Sequence, residues 1–232
     1  MKCVILQPSY IPWRGYFDQI NKADLFVFYD DVQYDKRGWR NRNQIKTITG
    51  KQWLTIPVNS RGAQTQHIPI NQIHISWETP WNTLHLKALE TTYSKTPYFK
   101  KYYPFLLEYY SRHDEFLADF TIAYTIAIAR EMGINHTRFM RSSELSVSGT
   151  KTDRLIQILQ KVGADHYISG ISAKDYIEND KFLAAGITLE YMSYEYAEYP
   201  QIHPPYDPFV TILDLLFMTG SDAGNYFPGG VH

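Results

Sequence analysis

Cysteine is almost missing from this chain: Cys3 is the sole example in 232 residues, so no disulfide can close within it and no thiolate metal cluster can assemble. Beside Val4, Ile5 and Leu6 it is expected to serve as a small buried hydrophobe. Neither sign of charge is in excess. With 23 Lys and Arg against 24 Asp and Glu the formal net charge is -1, which argues against a dedicated nucleic-acid binder but leaves room for a local basic patch. Long apolar runs are missing too. No stretch approaches the roughly 20 residues of a membrane-spanning helix, and the segment before Gln7 and Pro8 is too short for a signal peptide, so a cytoplasmic protein without a membrane span is expected. His67 and His74 have no Cys, Asp or Glu at ligand spacing, and no metal site is expected.

Aromatic side chains, in contrast, are plentiful. They make up 16% of the sequence, with 19 tyrosines, and a ring that carries a hydroxyl suits core packing as well as a grip on sugars or bases. At 44% hydrophobic and 20% charged the composition is that of a globular chain able to bury a substantial core. The expected organisation is one α/β domain with a helical insertion: 1–79 as its N-terminal part with a basic arm, 80–133 as the insertion, and 134–232 as its C-terminal part.

Cys3-Val4-Ile5-Leu6 predicts a buried strand that feeds the loop from Gln7 to Pro12. Pro12 suits a first helical turn, and Phe17, Ile20 and Ala23 continue an apolar face, so a helix is predicted over 12–22. The N–H groups around Trp13 to Gly15 would then be free at the carboxyl end of the strand and favour an anion, while Tyr10, Trp13 and Tyr16 would offer flat faces to a base or sugar. A hydrophobic staple capping an ordinary βα unit is the alternative. Asp24 to Tyr29 predicts a second, parallel strand that ends at Asp30-Asp31. From Gln33 to Lys46 five cations meet a single acid, with Trp39 among them. In an extended chain Arg40 and Arg42 would share one side and Asn41 and Asn43 the other, which suits a phosphate clamp with amide contacts. A solvated hairpin arm is the alternative there, and Gln52 to Val58 reads as a further strand.

Between Pro80 and Gly133 the pattern turns helical, with segments around Leu84–Tyr93, Tyr98–Tyr110 and Phe116–Met132. The aromatic stripe of the second reads as core. The final third alternates strand 137–140, helix 150–162, strand 166–168, helix 175–185 and strand 187–191, the signature of a Rossmann-like open, mostly parallel sheet with helices on both faces. Thr150 is the expected N-cap, with Asp153 three residues on and with Lys151 and Arg154 beside free N–H groups that suit a phosphate. Ser169-Gly170 repeats the pattern of a strand ending in small residues, with Lys174 near the next helix start. Loops of this kind gather on the carboxyl edge of an open sheet, where the Gln7–Gly15 loop also lies. Asp214, flanked by leucines, is costly to bury unpaired, and an arginine partner is expected.

The stretch Gln7-Pro8-Ser9-Tyr10-Ile11-Pro12-Trp13-Arg14-Gly15-Tyr16, the segment Trp39-Arg40-Asn41-Arg42-Asn43, Tyr167-Ile168-Ser169-Gly170 with Tyr176, and Ile212-Leu213-Asp214-Leu215-Leu216-Phe217 with Gly220 together resemble the WbqC-like protein family over nearly the whole chain. The resemblance implies an association with bacterial O-antigen and polysaccharide gene clusters and a suggested glycyl or aminoacyl transfer to an amino sugar. It supplies no agreed catalytic residues. More loosely, the first loop is similar to the strand-to-helix entry of the nucleotidyltransferase and class I synthetase superfamily, where histidines around a glycine touch nucleotide phosphates. Trp13 and Tyr16 stand in those places here. Neither can donate a cationic hydrogen bond to a developing phosphate charge, which counts against adenylyl transfer. Arg40, Arg42, Lys151 and Lys174 would have to supply the charge.

The resulting expectation is a cytoplasmic transferase acting on a nucleotide-linked amino sugar, with Asp30 or Asp31 as base and Lys174 as a further catalytic group. Substrate would be held by Gln7, Tyr10, Trp13, Gly15, Tyr16, Trp39, Arg40, Asn41, Arg42, Lys151, Arg154, Ser169, Gly170 and Asp214. ATP with Mg²⁺ would serve as cofactor if the acyl group is activated in place. Two rivals are a nonenzymatic interaction module that uses the Tyr98–Tyr110 face, and a binder of single-stranded RNA or a tRNA end through the Lys36–Lys46 arm. The oligomeric state is not readable from these residues.

Overall fold

The apolar runs of the sequence become the strands of one parallel sheet. In the computed structural model, which describes residues 1–231, β1 (Lys2–Leu6) leads through an irregular loop into α1 (Arg14–Lys22), and β2 (Leu25–Phe28) follows at once. A hairpin of β3 (Arg42–Thr47) and β4 (Gly50–Thr55) comes next, then the helices α2 (Trp81–Tyr93), α3 (Phe99–Tyr110) and α4 (Leu117–Glu131). The remainder alternates β5 (Arg138–Arg141), α5 (Lys151–Val162), β6 (His166–Ser169), α6 (Asn179–Ala184) and β7 (Thr188–Tyr191) before α7 (Ile212–Thr219). Among the described residues no helix is long and apolar enough to cross a membrane.

The strand order is β5-β2-β1-β6-β7, with every pairing parallel. From β1 the chain moves outward through β2 to β5, and from β6 it moves the other way to β7. The connections that leave β1 and β6 therefore diverge, which opens a crevice at the carboxyl ends of those two central strands. Side chains alternate across the sheet as the period of a strand requires. Val4, Phe26, Phe28 and Ile168 face a core that contains Phe17 and Ile20 of α1, Tyr124 and Ile128 of α4, and Leu213 and Phe217 of α7. Cys3, Ile5, Leu25, Val27 and Tyr167 face the opposite core, built with Leu155, Ile158 and Leu159 of α5 and Phe182 of α6. This is the open α/β fold with helices on both faces.

The helical segment shares the first of these cores. Phe99, Tyr102, Leu106 and Tyr110 of α3 are all buried, so the aromatic face proposed above for an interaction module is spent in packing. Other expectations shift in detail. The first helix starts at Arg14, because Ile11 takes φ +35° and Trp13 stays extended at ψ 171°, leaving Pro12 ahead of the helix. In place of a helix over 175–185 there is a short 3₁₀ turn (Ile171–Asp175), then α6. Thr150 stands at the N-cap of α5, but its side chain makes no capping bond. The last strand of the N-terminal part ends at Thr55 and pairs with the basic segment itself, Gln44 opposite Trp53. That segment is accordingly no free arm: Asn41, Asn43, Ile45 and Lys46 are buried.

Candidate functional site

The crevice between β1 and β6 holds a cavity of about 710 Å³. Leu6, Gln7 and Ser9 enter it from the end of β1, and Pro12, Trp13, Tyr16 and Gln19 from the start of α1, a spacing that keeps the last three on one helical face. The arm before β3 contributes Trp39 and Arg40, and Asn43 follows within that strand. From the far side come Lys151 of α5, and Gly170, Ser172 and Tyr176 from beyond β6, while Tyr194 and Phe209 reach in from the irregular segment before α7. Three pieces distant in sequence, the Gln7–Tyr16 loop, the arginine segment and the serine-glycine turn, thus border one space.

The charged side chains of that lining are Arg40 and Lys151; none of the described residues lining it is Asp, Glu or His. A concave site with two cations and no carboxylate favours an anion. Arg40 is oriented by Gln7, whose Oε1 accepts a hydrogen bond from its guanidinium at 2.7 Å. Gln7 is anchored in turn, since its carbonyl accepts from the Tyr16 hydroxyl at 3.0 Å. The Arg40 Nε has no protein partner. Burial draws the Arg40 pKa below the ordinary arginine value, with Tyr16, Asp35 and Tyr34 opposing. Burial also raises the phenols around the cavity, Tyr194 to about 12 with Asp18 adding to the rise, so they stand as neutral donors rather than as bases. The Gln19 amide donates to the Tyr194 hydroxyl at 3.1 Å and fixes that wall.

The aromatic faces are held as firmly. The Trp13 ring lies 5.1 Å from Tyr194 and 5.8 Å from Phe209, centroid to centroid. Its indole folds over Gly15, where an added Cβ would come within 2.3 Å of the ring. Gly15 therefore seats Trp13, and it is not itself among the residues lining the cavity.

Several other expected site residues lie elsewhere, each for a physical reason. Tyr10 is fully buried; its hydroxyl shares hydrogen bonds with His85 (2.9 Å) and Tyr110, tying the first loop to α2 and α3. The Asn41 amide donates to the Ile56 carbonyl at 2.8 Å and links the arm to the chain beyond β4. Arg42 parts company with Arg40 because strand alternation begins only at β3: its guanidinium lies 4.5 Å from the Trp53 centroid and donates to the Arg37 carbonyl. Asp30 is fully buried, and accepts from Ser143 N (3.1 Å), Ser143 Oγ (2.9 Å) and Ser142 Oγ (3.2 Å). Asp31 pairs with Arg154 and accepts from Ser142 Oγ. The parallel register that sets Phe28 beside Arg141 delivers both aspartates to the turn after β5, so neither borders the cavity and Arg154 is spent on Asp31. Lys174 reaches outward to 5.0 Å from the Tyr191 centroid. Ser169 is buried beside the Tyr167 hydroxyl.

Asp214 meets no arginine. Gln201 Nε2 donates to its Oδ1 at 3.0 Å, and burial raises its pKa, opposed by the hydroxyls of Tyr199 and Tyr93, the Gln201 amide and the charge of Lys46. It sits inside the α7 core as a structural acid.

Gln19, Tyr29, Ser172, Tyr176, Tyr194 and Phe209 border the cavity without having been expected there. Helical spacing from Trp13 and Tyr16 was signal enough for Gln19. Tyr194 and Phe209 carried none, since their segment has no periodicity and reaches the site only through tertiary packing. Arg14 holds that segment in place: it donates to the Ala197 carbonyl at 2.8 Å and the Tyr206 hydroxyl at 3.0 Å, and stacks on Tyr196 at 4.3 Å.

Fold and cavity together define an open parallel α/β protein with an anion-receptive, aromatic-walled crevice at its topological switch point. The chain belongs to the WbqC-like protein family, whose model matches residues 7–226. It is 39% identical over 228 residues to "Uncharacterized protein Rv1507c" of Mycobacterium tuberculosis (strain ATCC 25618 / H37Rv), covering 97% of this chain and 96% of that relative. No solved structure matches it.

Proposed function

We propose that this protein is a transferase that binds a nucleotide-linked amino sugar in the crevice and passes a small acyl or aminoacyl group to the sugar amine, in bacterial surface-polysaccharide synthesis. One observation carries the reading: Arg40 and Lys151 face a cavity walled by Trp13, Trp39, Tyr194 and Phe209 and without carboxylate among its described lining residues. A diphosphate matches the cations, and a base or pyranose ring matches the walls. The volume falls in the usual range of small-molecule sites, about 300–1,000 Å³.

In this reading Arg40, held by Gln7, grips the pyrophosphate, Lys151 neutralises it from the opposite rim, and Trp13 covers the ring. The lining offers hydroxyls and amides rather than a carboxylate base, so these side chains orient the amine while its proton passes to the leaving group or to water. Calorimetric titration with UDP- and dTDP-amino sugars tests the reading. Saturable binding that falls roughly tenfold or more in Arg40→Ala is the expected result; no heat and no thermal stabilisation with any nucleotide sugar would sink it.

A further inference from the structure

We propose that Trp39, Trp53 and Arg42 form a second subsite at the cavity mouth, which stacks the base of an adenosine phosphate carrying the acyl group. The assignment rests on the transferase reading for its role, but two of its three residues, Trp53 and Arg42, lie outside the cavity lining. Trp39 and Trp53 are 46% and 42% exposed, unusual for rings of that size, and their centroids are 5.3 Å apart at 34°. Arg42 stacks on Trp53, and its hydrogen bond to the Arg37 carbonyl at 2.7 Å fixes it there. The backbone beneath is anchored as well, since the Trp39 carbonyl accepts from the Tyr10 N–H at 3.2 Å.

Charge selects the kind of ring. Exposed Lys36 and Arg37 lie on the turn beside the indoles. Asp35, the single acid from Gln33 to Lys46, is turned onto its own loop, where it accepts from the Arg37 N–H at 3.0 Å. Exposed indoles with cations alongside are the arrangement that grips a base by its face and its phosphates by charge. Because Trp39 also lines the cavity, whatever stacks on the pair is delivered to the rim of the nucleotide-sugar site.

The chemistry of amide formation narrows the ligand further. Two carriers of an acyl group activated for attack by an amine contain an adenosine phosphate, the acyl adenylate and the coenzyme A thioester. In the transfer step the amine nitrogen bonds to the acyl carbon, and the acyl C–O or C–S bond breaks. The electron pair leaves on AMP or on the thiolate, and the nitrogen gives up its proton to the thiolate or to water.

The five tryptophans make the test specific, since each indole N–H gives its own signal in a protein labelled with ¹⁵N-tryptophan. AMP and coenzyme A are titrated separately, which distinguishes the two carriers. At least one is expected to move the Trp53 and Trp39 signals and to leave Trp77 and Trp81 in place, whereas a UDP-amino sugar moves Trp13 and Trp39 but not Trp53. Trp53→Ala is expected to weaken the adenosine ligand roughly tenfold or more and leave the UDP-sugar affinity unchanged, with Trp53→Phe retaining most of the binding. Trp53 signals unmoved by both carriers, or moved by the nucleotide sugar instead, would overturn the assignment. Silence of Trp13 with every nucleotide sugar would remove the transferase reading separately.

Discussion

Two sets of polar side chains sit close to the same sheet and do opposite work. Asp30 and Asp214 are fully buried: both oxygens of Asp30 accept from Ser142 and Ser143, and Asp214 Oδ1 accepts from the Gln201 amide while its Oδ2 has no hydrogen-bond partner. Arg40 and Lys151 line an open cavity, and the Arg40 Nε has no protein partner. A buried carboxylate left short of partners costs stability, so both acids act within the fold, Asp30 fully bonded and Asp214 with a raised pKa. The two cations border a space that a ligand can fill. Charge and position along the chain made Asp30 look catalytic and Asp214 look like a substrate contact; what separates the two sets is which of them border the cavity.

That contrast breaks first at the acids. Asp214→Ala removes one acceptor of the Gln201 amide, which keeps the Asp207 carbonyl and the Tyr199 hydroxyl, and is expected to cost about 2 to 3 kcal/mol in urea denaturation; a loss below about 1 kcal/mol would mean the cluster is no keystone. His85 provides a pH counterpart on the buried side. Burial lowers its pKa from 6.5 to about 4, so between those values the unfolded chain binds a proton that the folded protein refuses. Stability is therefore expected to fall as pH drops from 6.5 towards 4, by up to about 3 kcal/mol, and His85→Gln should flatten that limb of the curve. Asp214 acts with the opposite sign: because its folded pKa is raised above 3.8, its cost appears as pH climbs past that value.

On the cavity side the effects should register in binding rather than in folding. Arg40→Ala is expected to lower nucleotide-sugar affinity by about 2 kcal/mol while unfolding shifts by less than about 1 kcal/mol. An equal loss in both measurements would place Arg40 with the structural set. Gly15→Ala should be milder, with the added methyl displacing the Trp13 indole and weakening the same ligand by about 1 kcal/mol. Lys174→Ala is expected to change neither binding nor melting by more than about 0.5 kcal/mol, because that side chain reaches towards Tyr191 at the sheet edge and not towards the cavity.

Much of the fold was legible before any coordinates. The runs at Cys3–Leu6, Leu25–Phe28 and His166–Ile168 are short, apolar and separated by amphipathic stretches, a pattern that encodes parallel strands locally. Trp13, Tyr16, Lys151 and Gly170 were likewise readable as neighbours of the crevice, since they follow strand ends or open helices, and Arg40 from its basic segment. Arg42 and Asn41 lie off the cavity because extended-chain alternation says which side of a segment a residue occupies and not what that side meets, and Arg154 because its place beside a helix start does not reveal Asp31 as its partner. Tyr10 shows the same limit: a tyrosine in a site loop can point into the core as readily as into the ligand.

From its sequence alone the chain determined most of the strands and helices, that the connections would be parallel, and that no disulfide could form within it, because these depend on periodicity and composition within a few residues. Tertiary structure decided which charges are spent and which are free. Pairing of Asp31 with Arg154, closure of Ser142 and Ser143 on Asp30, and the approach of Tyr194 and Phe209 to Trp13 join residues far apart along the chain. A carboxylate or a ring has the same local pattern whether its partner is a ligand or another side chain, and only packing supplies the partner.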